Sequence, residues 1–255
     1  MSEEREVARL DFGREHRTGI PEVILAEVKS DAQVVAAVRA FVDRTGRAIV
    51  SRMRDETAEH LKREFASYTL DARHLAHAMA IHAPGHIRPR TGGRIGVLTA
   101  GTGDVFVAEE ARLIAEEMGC EVETLYDVGV AGIHRLFDPF REMLQRDISA
   151  VIVCAGMDGA LPSVVAGLSP VPVIGVPTSI GYGVGGKGRA ALLSMLQTCV
   201  PGLTVVNINN GIGAGATAAL IANREAAARA SAHSGGTDRS HQQERQSEEW
   251  AHLPR

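Results

Sequence analysis

Residues Val151–Gly185, VIVCAGMDGALPSVVAGLSPVPVIGVPTSIGYGVG, alternate apolar runs with glycine-containing turns. Ala150–Ala155 and Val171–Val176 are continuous apolar runs, which are typical of strands covered on both faces of a parallel sheet. The loops Gly156–Gly159 and Thr178–Gly186 therefore lie at the carboxyl ends of neighbouring strands, where open α/β sheets bind ligands. Free backbone N–H groups and helix N-termini at that edge favour a ligand that carries phosphate.

Strand and helix patterns continue on both sides of this stretch, which predicts a doubly wound parallel sheet with helices on both faces, of the flavodoxin-like type. The predicted strands are Arg94–Ala100, Glu121–Val128, Ala150–Ala155, Val171–Val176 and Leu203–Ile208. The predicted helices are Asp104–Met118, Ile133–Arg146, Ala160–Leu168, Gly188–Cys199 and Ala214–Arg224.

The chain divides into three predicted regions: an N-terminal α/β domain with its linker (residues 1–93), a catalytic domain (residues 94–230) and a disordered polar tail (residues 231–255). In the first region, Val34, Val38 and Phe41 recur at helical spacing, and Arg47–Met53 is predicted to be a strand. We expect Asp55 to cap a helix that runs to about Phe65.

Composition limits the classes of partner. A formal net charge of -4 and an aromatic content of 4% argue against nucleic-acid binding. The sequence has neither a signal peptide nor an apolar stretch long enough to span a membrane, so a cytoplasmic location without a membrane partner is predicted. Three scattered cysteines predict neither a disulfide framework nor a zinc site.

The predicted carboxyl-edge loops supply candidate residues for binding a small nucleotide substrate. Their glycines allow close backbone approach, their hydroxyl and amide groups can hydrogen-bond, and their charged groups can hold phosphate or ribose. The candidates are Thr102, Gly103, Asp104, Asp127, His134, Arg135, Gly156, Met157, Ser179, Gly181, Tyr182, Lys187, Asn209 and Asn210.

Structural alternatives stand beside these assignments. Asp104 and Asp158 are both placed to cap the following helix, although Asp158 is also suited to acid–base chemistry. Asp127 is also typical of a turn, and His134 of a surface or capping position. The small residues of Gly211–Ala219 suit helix packing, either within one subunit or between two.

The cysteine pattern by itself does not identify a nucleophile. Cys154 lies in a predicted buried strand, and Cys120 looks structural. Cys199 is predicted to end a helix, where the negative end of the helix dipole disfavours a thiolate, so the pattern favours a core or C-cap residue.

Two strings resemble the aminoimidazole ribonucleotide carboxylase fold: AGxxxxLP at Ala155–Pro162 and PVIGVP at Pro172–Pro177. That family places a catalytic histidine immediately before the Leu-Pro pair, whereas this chain has Ala160. The resemblance therefore implies the fold but not the purine reaction.

A more extensive resemblance, over Ala8–Arg224, is to the LarB family, the pyridinium-3,5-biscarboxylic acid mononucleotide synthases of nickel-pincer cofactor biosynthesis. Several motifs in fixed order carry it. They are DFGREHRTGIPEVI (Asp11–Ile24), AGTGDVFVAEEA (Ala100–Ala111), LYDVGVAGIHRL (Leu125–Leu136), AGMDGALPSVVAGL, PTSIGYG, LLSMLQTC and VVNINNGIGAGATA.

This resemblance implies a carboxylase and hydrolase that acts on nicotinic acid adenine dinucleotide. Cys199, in the family's MLxxC string, would add to the pyridinium ring, because a thiol is both a good nucleophile and a good leaving group. Asp158 would remove the ring proton after carboxylation, and hydrolysis would release AMP. Magnesium would assist with ligands unassigned, and no tightly bound organic cofactor is expected. Related carboxylases imply a homo-octamer with sites at subunit boundaries.

The chain departs from the family pattern at two positions. Asp158 stands where the family usually has glutamate, and Asn209 stands where NIDNG has aspartate. Two rival functions are a purine ribonucleotide carboxylase or mutase and a non-catalytic nucleotide-binding module. The charged residues Asp11, Arg14, Arg17 and Glu22 are expected to brace the assembly, to close over the site or to form a surface salt-bridge network.

Overall fold

The computed structural model describes residues 9–250 and the side chains of residues 9–232. Residues 1–8 and 251–255, which belong to the predicted N-terminal domain and tail, lie outside the described residues. The N-terminal part is a four-stranded mixed sheet in the order β1-β2-β4-β3, in which only β1 and β2 pair in parallel. Its elements are α1 (Arg14–Thr18), β1 (Val23–Leu25), α2 (Asp31–Thr45), β2 (Arg47–Ser51), α3 (Asp55–Glu64), β3 (Thr69–Arg73) and β4 (Ala78–His82).

The second part confirms the predicted α/β fold. Its five strands are all parallel, in the order β6-β5-β7-β8-β9. The strands are β5 (Arg94–Thr99), β6 (Glu121–Leu125), β7 (Ala150–Ala155), β8 (Val173–Pro177) and β9 (Leu203–Val205). The helices are α4 (Val105–Glu117), α5 (His134–Leu144), α6 (Leu161–Leu168), α7 (Arg189–Leu196) and α8 (Gly211–Trp250).

Several helix ends differ from the predictions, among them the start of α8 at Gly211 and the end of α5 at Leu144. The α7 helix ends at Leu196 rather than at Cys199. Pro201 disfavours further helix, and the Thr198 hydroxyl accepts a hydrogen bond from the Val200 N–H. Asp55 is not the cap of α3, since it is the first helical residue and follows Arg54 as N-cap. The last helix passes Arg224 and continues to Trp250, where a disordered tail was expected from Ser231; alanines just beyond Arg224 favour the continuation.

The core joins the two sheets through α4. Ala78 and Ala80 of β4 share one apolar cluster with Val107 and Ala111 of α4. On its other side α4 packs against α8, where a Cβ on Gly215 would lie 2.2 Å from the Ala111 carbonyl oxygen. The small residues at the start of α8 therefore serve helix packing within the chain.

A buried carboxylate of α4 joins the linker to the N-terminal sheet. Glu117 is fully buried, and its side chain contacts His82 Nε2 at 3.0 Å, Arg88 Nε at 2.7 Å and Arg47 Nη1 at 3.2 Å. Burial by itself would raise the pKa of Glu117, but the hydrogen bond to His82 and the neighbouring positive charges bring its pKa below the ordinary value.

We predict that Glu117→Gln lowers the free energy of unfolding by about 3 kcal/mol at pH 7, because buried cations lose their counter-charge. The pKa of Glu117 is lower in the folded state, so its stabilisation is complete above the unfolded-state pKa and is lost as the pH falls through the folded-state pKa. Urea unfolding at pH 7 and at pH values below about 4 should therefore show the variant approaching wild type in acid. The exposed Glu142→Gln is the control; a difference that stays constant with pH would contradict the assignment.

Candidate active site

The candidate active site is a crevice at the edge of the parallel sheet, at the point where the order of the strands reverses direction. The first strand of the parallel sheet, β5, has β6 on one side and β7 on the other, so the loops after β5 and β7 open a gap between them. These loops begin at Ala100 and Gly156, and both were predicted to face the same edge of the sheet. The topology therefore places the candidate site at the carboxyl ends of β5 and β7.

Asp104 is a buried residue that connects the loops at this edge of the sheet. It is 3% exposed, and its carboxylate accepts hydrogen bonds from the Gly101 N–H at 2.9 Å and from the Thr178 hydroxyl at 2.5 Å. Burial raises the pKa of Asp104, although these bonds and one from the Gly156 N–H act in the opposite direction. Asp104 occupies the N-cap position of α4, as the capping alternative expects, but its side chain makes no cap bond to that helix. Asp104 holds three loops together, while Thr102 and Gly103 beside it are exposed.

The loop after β6 carries a charged pair at the rim. Asp127 has a positive φ of 58°, and its N–H donates to the Thr99 hydroxyl at 3.0 Å. The Arg135 guanidinium contacts the Asp127 carboxylate at 2.5 Å, and both side chains are more than two-fifths exposed. His134 is exposed as the first residue of α5. Asp127 and Arg135 thus already neutralise each other at the mouth of the crevice.

Asp158 projects from the turn between β7 and α6. The N-cap position of α6 is Ala160, so the capping alternative for Asp158 is wrong. Asp158 is exposed, and no hydrogen bond or ion pair within the described residues holds its carboxylate. Met157 precedes it with a positive φ of 53° and is 47% exposed. The turn therefore presents an available carboxylate beside an apolar side chain.

Gly156 sets the spacing of this turn. A Cβ at this position would lie 2.2 Å from the Ile180 carbonyl oxygen and 2.7 Å from the Thr178 hydroxyl. The neighbouring Met157 N–H donates to the same carbonyl at 2.8 Å. Only glycine therefore lets the turn after β7 contact the loop after β8.

We predict that Gly156→Ala lowers the free energy of unfolding by about 1–3 kcal/mol, because a backbone carbonyl must move to admit the methyl group. Urea denaturation provides the measurement. Gly167→Ala is the matched control, since the nearest atom to a Cβ there is Val200 Cγ1 at 4.0 Å. Equal unfolding midpoints for Gly156→Ala and wild type would show that the loops do not need this contact.

The loop after β8 is fastened at its base and exposed at its tip. Asn209 accepts from the Ser179 N–H through Oδ1 and donates to the Ser179 hydroxyl through Nδ2, both at 2.8 Å. Asn210 accepts from the Gly213 N–H at 2.9 Å and so caps α8. Beyond this base Gly181, Tyr182 and Lys187 are exposed, with Tyr182 at 83%. A charge-free Asn209 thus has a supporting function that the sequence did not indicate.

The three cysteines differ sharply in environment. Burial raises the pKa of Cys154 well above its ordinary value and that of Cys120 to about 11, which makes both thiols poor nucleophiles. Cys199 is exposed and lies three residues beyond the end of α7. The expectation that Cys199 is a core or C-cap residue is therefore wrong, since the C-cap is Gln197.

The structure does not bring Cys199 and Asp158 together within one chain. Asp158 follows β7 at the carboxyl edge, whereas Cys199 precedes β9 on the side of the amino edge. Gly202, three residues after Cys199, accepts a hydrogen bond from the N–H of Val173 at the start of β8. The hydroxyl of the neighbouring Thr198 lies 2.9 Å from that of Ser163, in the first turn of α6. The exposed apolar side chains near Cys199 include Leu168, Leu193 and Leu196.

The N-terminal charged residues pair with one another. Asp11 binds Arg17 through two hydrogen bonds of 3.1 and 2.8 Å, and Arg14 Nε lies 2.6 Å from Glu22. This arrangement matches the surface salt-bridge alternative. Within residues 9–232 no group of three or more His, Cys, Asp and Glu side chains is placed to hold a metal ion. Among the described helices, none has both the length and the apolar character that crossing a bilayer requires.

Comparisons with known proteins cover both parts of the chain. Residues 94–247 match the family model described as AIR carboxylase, and residues 2–82 match the model of the LarB/PurE-like N-terminal domain. An uncharacterized protein of Methanocaldococcus jannaschii is 42% identical over 84% of this chain and 83% of its own length. An N5-carboxyaminoimidazole ribonucleotide mutase of Thermotoga maritima is 32% identical over 50% of this chain and 74% of its own length. A phosphoribosylaminoimidazole carboxylase of Candida glabrata is 32% identical over 48% of this chain and 21% of its own length.

Proposed function

Because this chain belongs to the LarB family, with an AIR carboxylase domain after a LarB/PurE-like N-terminal domain, we propose that it carboxylates nicotinic acid adenine dinucleotide. The products are pyridinium-3,5-biscarboxylic acid mononucleotide and AMP, and the reaction consumes carbon dioxide and water. The carboxylase class follows from the family, and the particular substrate is our proposal.

The first proposed step forms a bond between the Cys199 sulfur and a carbon of the pyridinium ring. The ring becomes an electron-rich dihydropyridine, and its neighbouring carbon attacks carbon dioxide. Asp158 then takes the proton from the newly carboxylated carbon, the C–S bond breaks, and aromaticity returns. Water cleaves the phosphoanhydride in a separate step.

The observation that carries this proposal is that both groups the proposed reaction needs, a carboxylate and a thiol, are exposed and available. Asp158 is exposed in the crevice without a partner among the described residues, and Cys199 is exposed while Cys120 and Cys154 are buried. Aspartate is one methylene shorter than the family's glutamate, so the ring would have to lie closer to the turn after β7.

The separation of these two residues within one chain implies an assembly. We propose that Cys199 of one copy enters the crevice of another, in an oligomer that family resemblance suggests is an octamer. Two exposed apolar groups support such contacts: Met157, Ile180, Tyr182 and Val184 around the crevice, and Leu168, Leu193 and Leu196 near Cys199. Apolar surface of this kind is usually covered by association.

The mutase reaction is the rival, because relatives of that name match the second part of the chain. The mutase reaction lacks support at Ala160, because the aminoimidazole ribonucleotide carboxylase family has its catalytic histidine at this position. Both functions can be tested in one assay. Purified protein, bicarbonate and magnesium are incubated with nicotinic acid adenine dinucleotide, with aminoimidazole ribonucleotide or with N5-carboxyaminoimidazole ribonucleotide, and products are separated by chromatography and identified by mass spectrometry. AMP together with a mononucleotide heavier by one carboxyl group supports our proposal, and conversion of the purine precursor alone would replace it.

A further inference from the structure

A second cleft, of about 510 Å³, opens between the N-terminal sheet and the carboxyl edge of the parallel sheet. The N-terminal part contributes Glu27, Arg52, Met53, Arg54 and His77, and the second part contributes Phe106, Glu110 and Asn209. None of the candidate substrate residues except Asn209 lines it. The cleft is therefore distinct from the crevice between β5 and β7 but shares its edge of the sheet.

The backbone is unusual around this cleft. Arg52, His77 and Asn209 have positive φ values of 56°, 47° and 56°. Residues other than glycine rarely adopt this conformation, and such positions cluster where proteins bind ligands. Three such residues line this cleft, two from the N-terminal part and one from the second part, so the backbone around the cleft is held in an unusual conformation.

The cations of the cleft are held by exchangeable partners. Arg52 lies 3.5 Å from Glu27 and 4.0 Å from Glu110, and Arg54 lies 3.0 Å from Asp31. The two arginine side chains are 43% and 57% exposed, and ion pairs at such positions contribute little to stability. Burial raises the pKa of Glu110, while hydrogen bonds from the Ser51 hydroxyl and from backbone N–H groups, with the charge of Arg52, act in the opposite direction. A phosphate group can replace the accessible carboxylates of Glu27 and Asp31 and accept two parallel N–H bonds from a guanidinium, whereas the buried Glu110 stays in place.

The cleft connects directly to the candidate active site. Arg52 Nη2 donates to the Asn209 carbonyl oxygen at 3.2 Å, and the Asn209 side chain holds Ser179 at the base of the loop after β8. Met53 and Phe106 supply an apolar and aromatic wall beside the arginines. Cations next to such a wall suit a phosphate attached to a planar base better than they suit inorganic phosphate.

We propose that this cleft binds a nucleoside monophosphate group, with its phosphate on Arg52 and Arg54 and its base against Phe106. The inference rests on the proposed function for its substrate, since a dinucleotide has a second nucleotide half that the reacting ring does not use. The N-terminal domain would then bind substrate rather than only support the fold.

Isothermal titration of the full chain with AMP, adenosine and inorganic phosphate tests this inference. We expect AMP to bind more tightly than either part, and Arg52→Gln and Arg54→Gln each to weaken AMP about tenfold or more, as the loss of one charged contact implies. Phe106→Leu should weaken AMP and adenosine without changing phosphate binding. Arg63→Gln, an exposed arginine of α3 outside the cleft, is the control, and thermal unfolding verifies that each variant is folded.

The inference is overturned if wild type fails to bind AMP, if both arginine variants bind it as tightly as wild type, or if phosphate alone binds as well as AMP. The two proposals fail separately. AMP binding that depends on Arg52, without product from nicotinic acid adenine dinucleotide, would retain the cleft and reject the reaction. Product formation by Arg52→Gln at an unchanged KM would reject the cleft and retain the reaction.

Discussion

Cys199→Ala is expected to reduce carboxylation of nicotinic acid adenine dinucleotide by about 10³-fold or more, because without the thiol the ring cannot become an electron-rich nucleophile. Binding of the substrate should persist, since Cys199 lies outside the crevice of its own chain and makes no hydrogen bond with the described residues. Product formation followed by mass spectrometry, together with titration of the substrate, separates the two effects. A nucleotide-binding module would show unchanged binding and no turnover in either protein.

Cys120→Ala provides the matched control for this substitution. Its thiol is buried, has a pKa of about 11 and contacts Asn223 at 3.2 Å, so its loss should leave the carboxylation rate within a few-fold of wild type. Full activity in Cys199→Ala would exclude the covalent step. Equal loss in both cysteine variants would indicate that the effect comes from folding rather than from chemistry.

The parallel sheet was predictable because its buried strands are continuous apolar runs in the sequence. The β7 and β8 strands are apolar at nearly every position, and every residue in them is buried. The edge strand β3, Thr69–Arg73, leaves no such mark. It is half exposed, and its charged residues Asp71 and Arg73 are satisfied by partners distant in sequence such as Arg88 and Glu116. A period-two apolar pattern cannot identify a strand of this kind.

The candidate site was predictable in position but not in the function of each residue. Loops that follow parallel strands must meet at one edge, and the structure has Asp158 and Ser179 in loops at the carboxyl edge of the sheet. The sequence could not show that Asp104 is buried beneath the loops, because its partners Gly101 and Thr178 come from two different connections. Nor could it show that Arg52 reaches Asn209, since 157 residues separate them in the chain.

Cys199 illustrates the limit most clearly. The helix pattern predicted a C-terminal position with an unfavourable dipole, yet α7 stops at Leu196 and leaves the thiol exposed beyond it. The resemblance implies that Cys199 is the nucleophile, but only the pairing of β9 with β8 shows that the residue lies away from the crevice of its own chain. The proposed role of Cys199 therefore requires a second copy of the chain.

Mixing two inactive variants, Asp158→Asn and Cys199→Ala, is expected to restore activity if each crevice combines residues from two copies. With equal amounts and random exchange of subunits, about a quarter of the sites would contain both an intact Asp158 and an intact Cys199. The expected activity is therefore about a quarter of wild type, whereas each variant alone should retain about a hundredth or less. The two proteins are mixed under mild dissociating conditions, reassembled, and assayed for AMP release.

The double variant Asp158→Asn/Cys199→Ala, mixed with wild type, is the control for this experiment. Under the same random exchange it should lower activity to about a quarter, because a composite site again needs two intact contributions. Sites built within one chain would instead give no rescue in the first mixture and half of the wild-type activity in the second. Because Asp158 follows the carboxyl end of β7 and Cys199 precedes the amino end of β9, we expect the composite outcome.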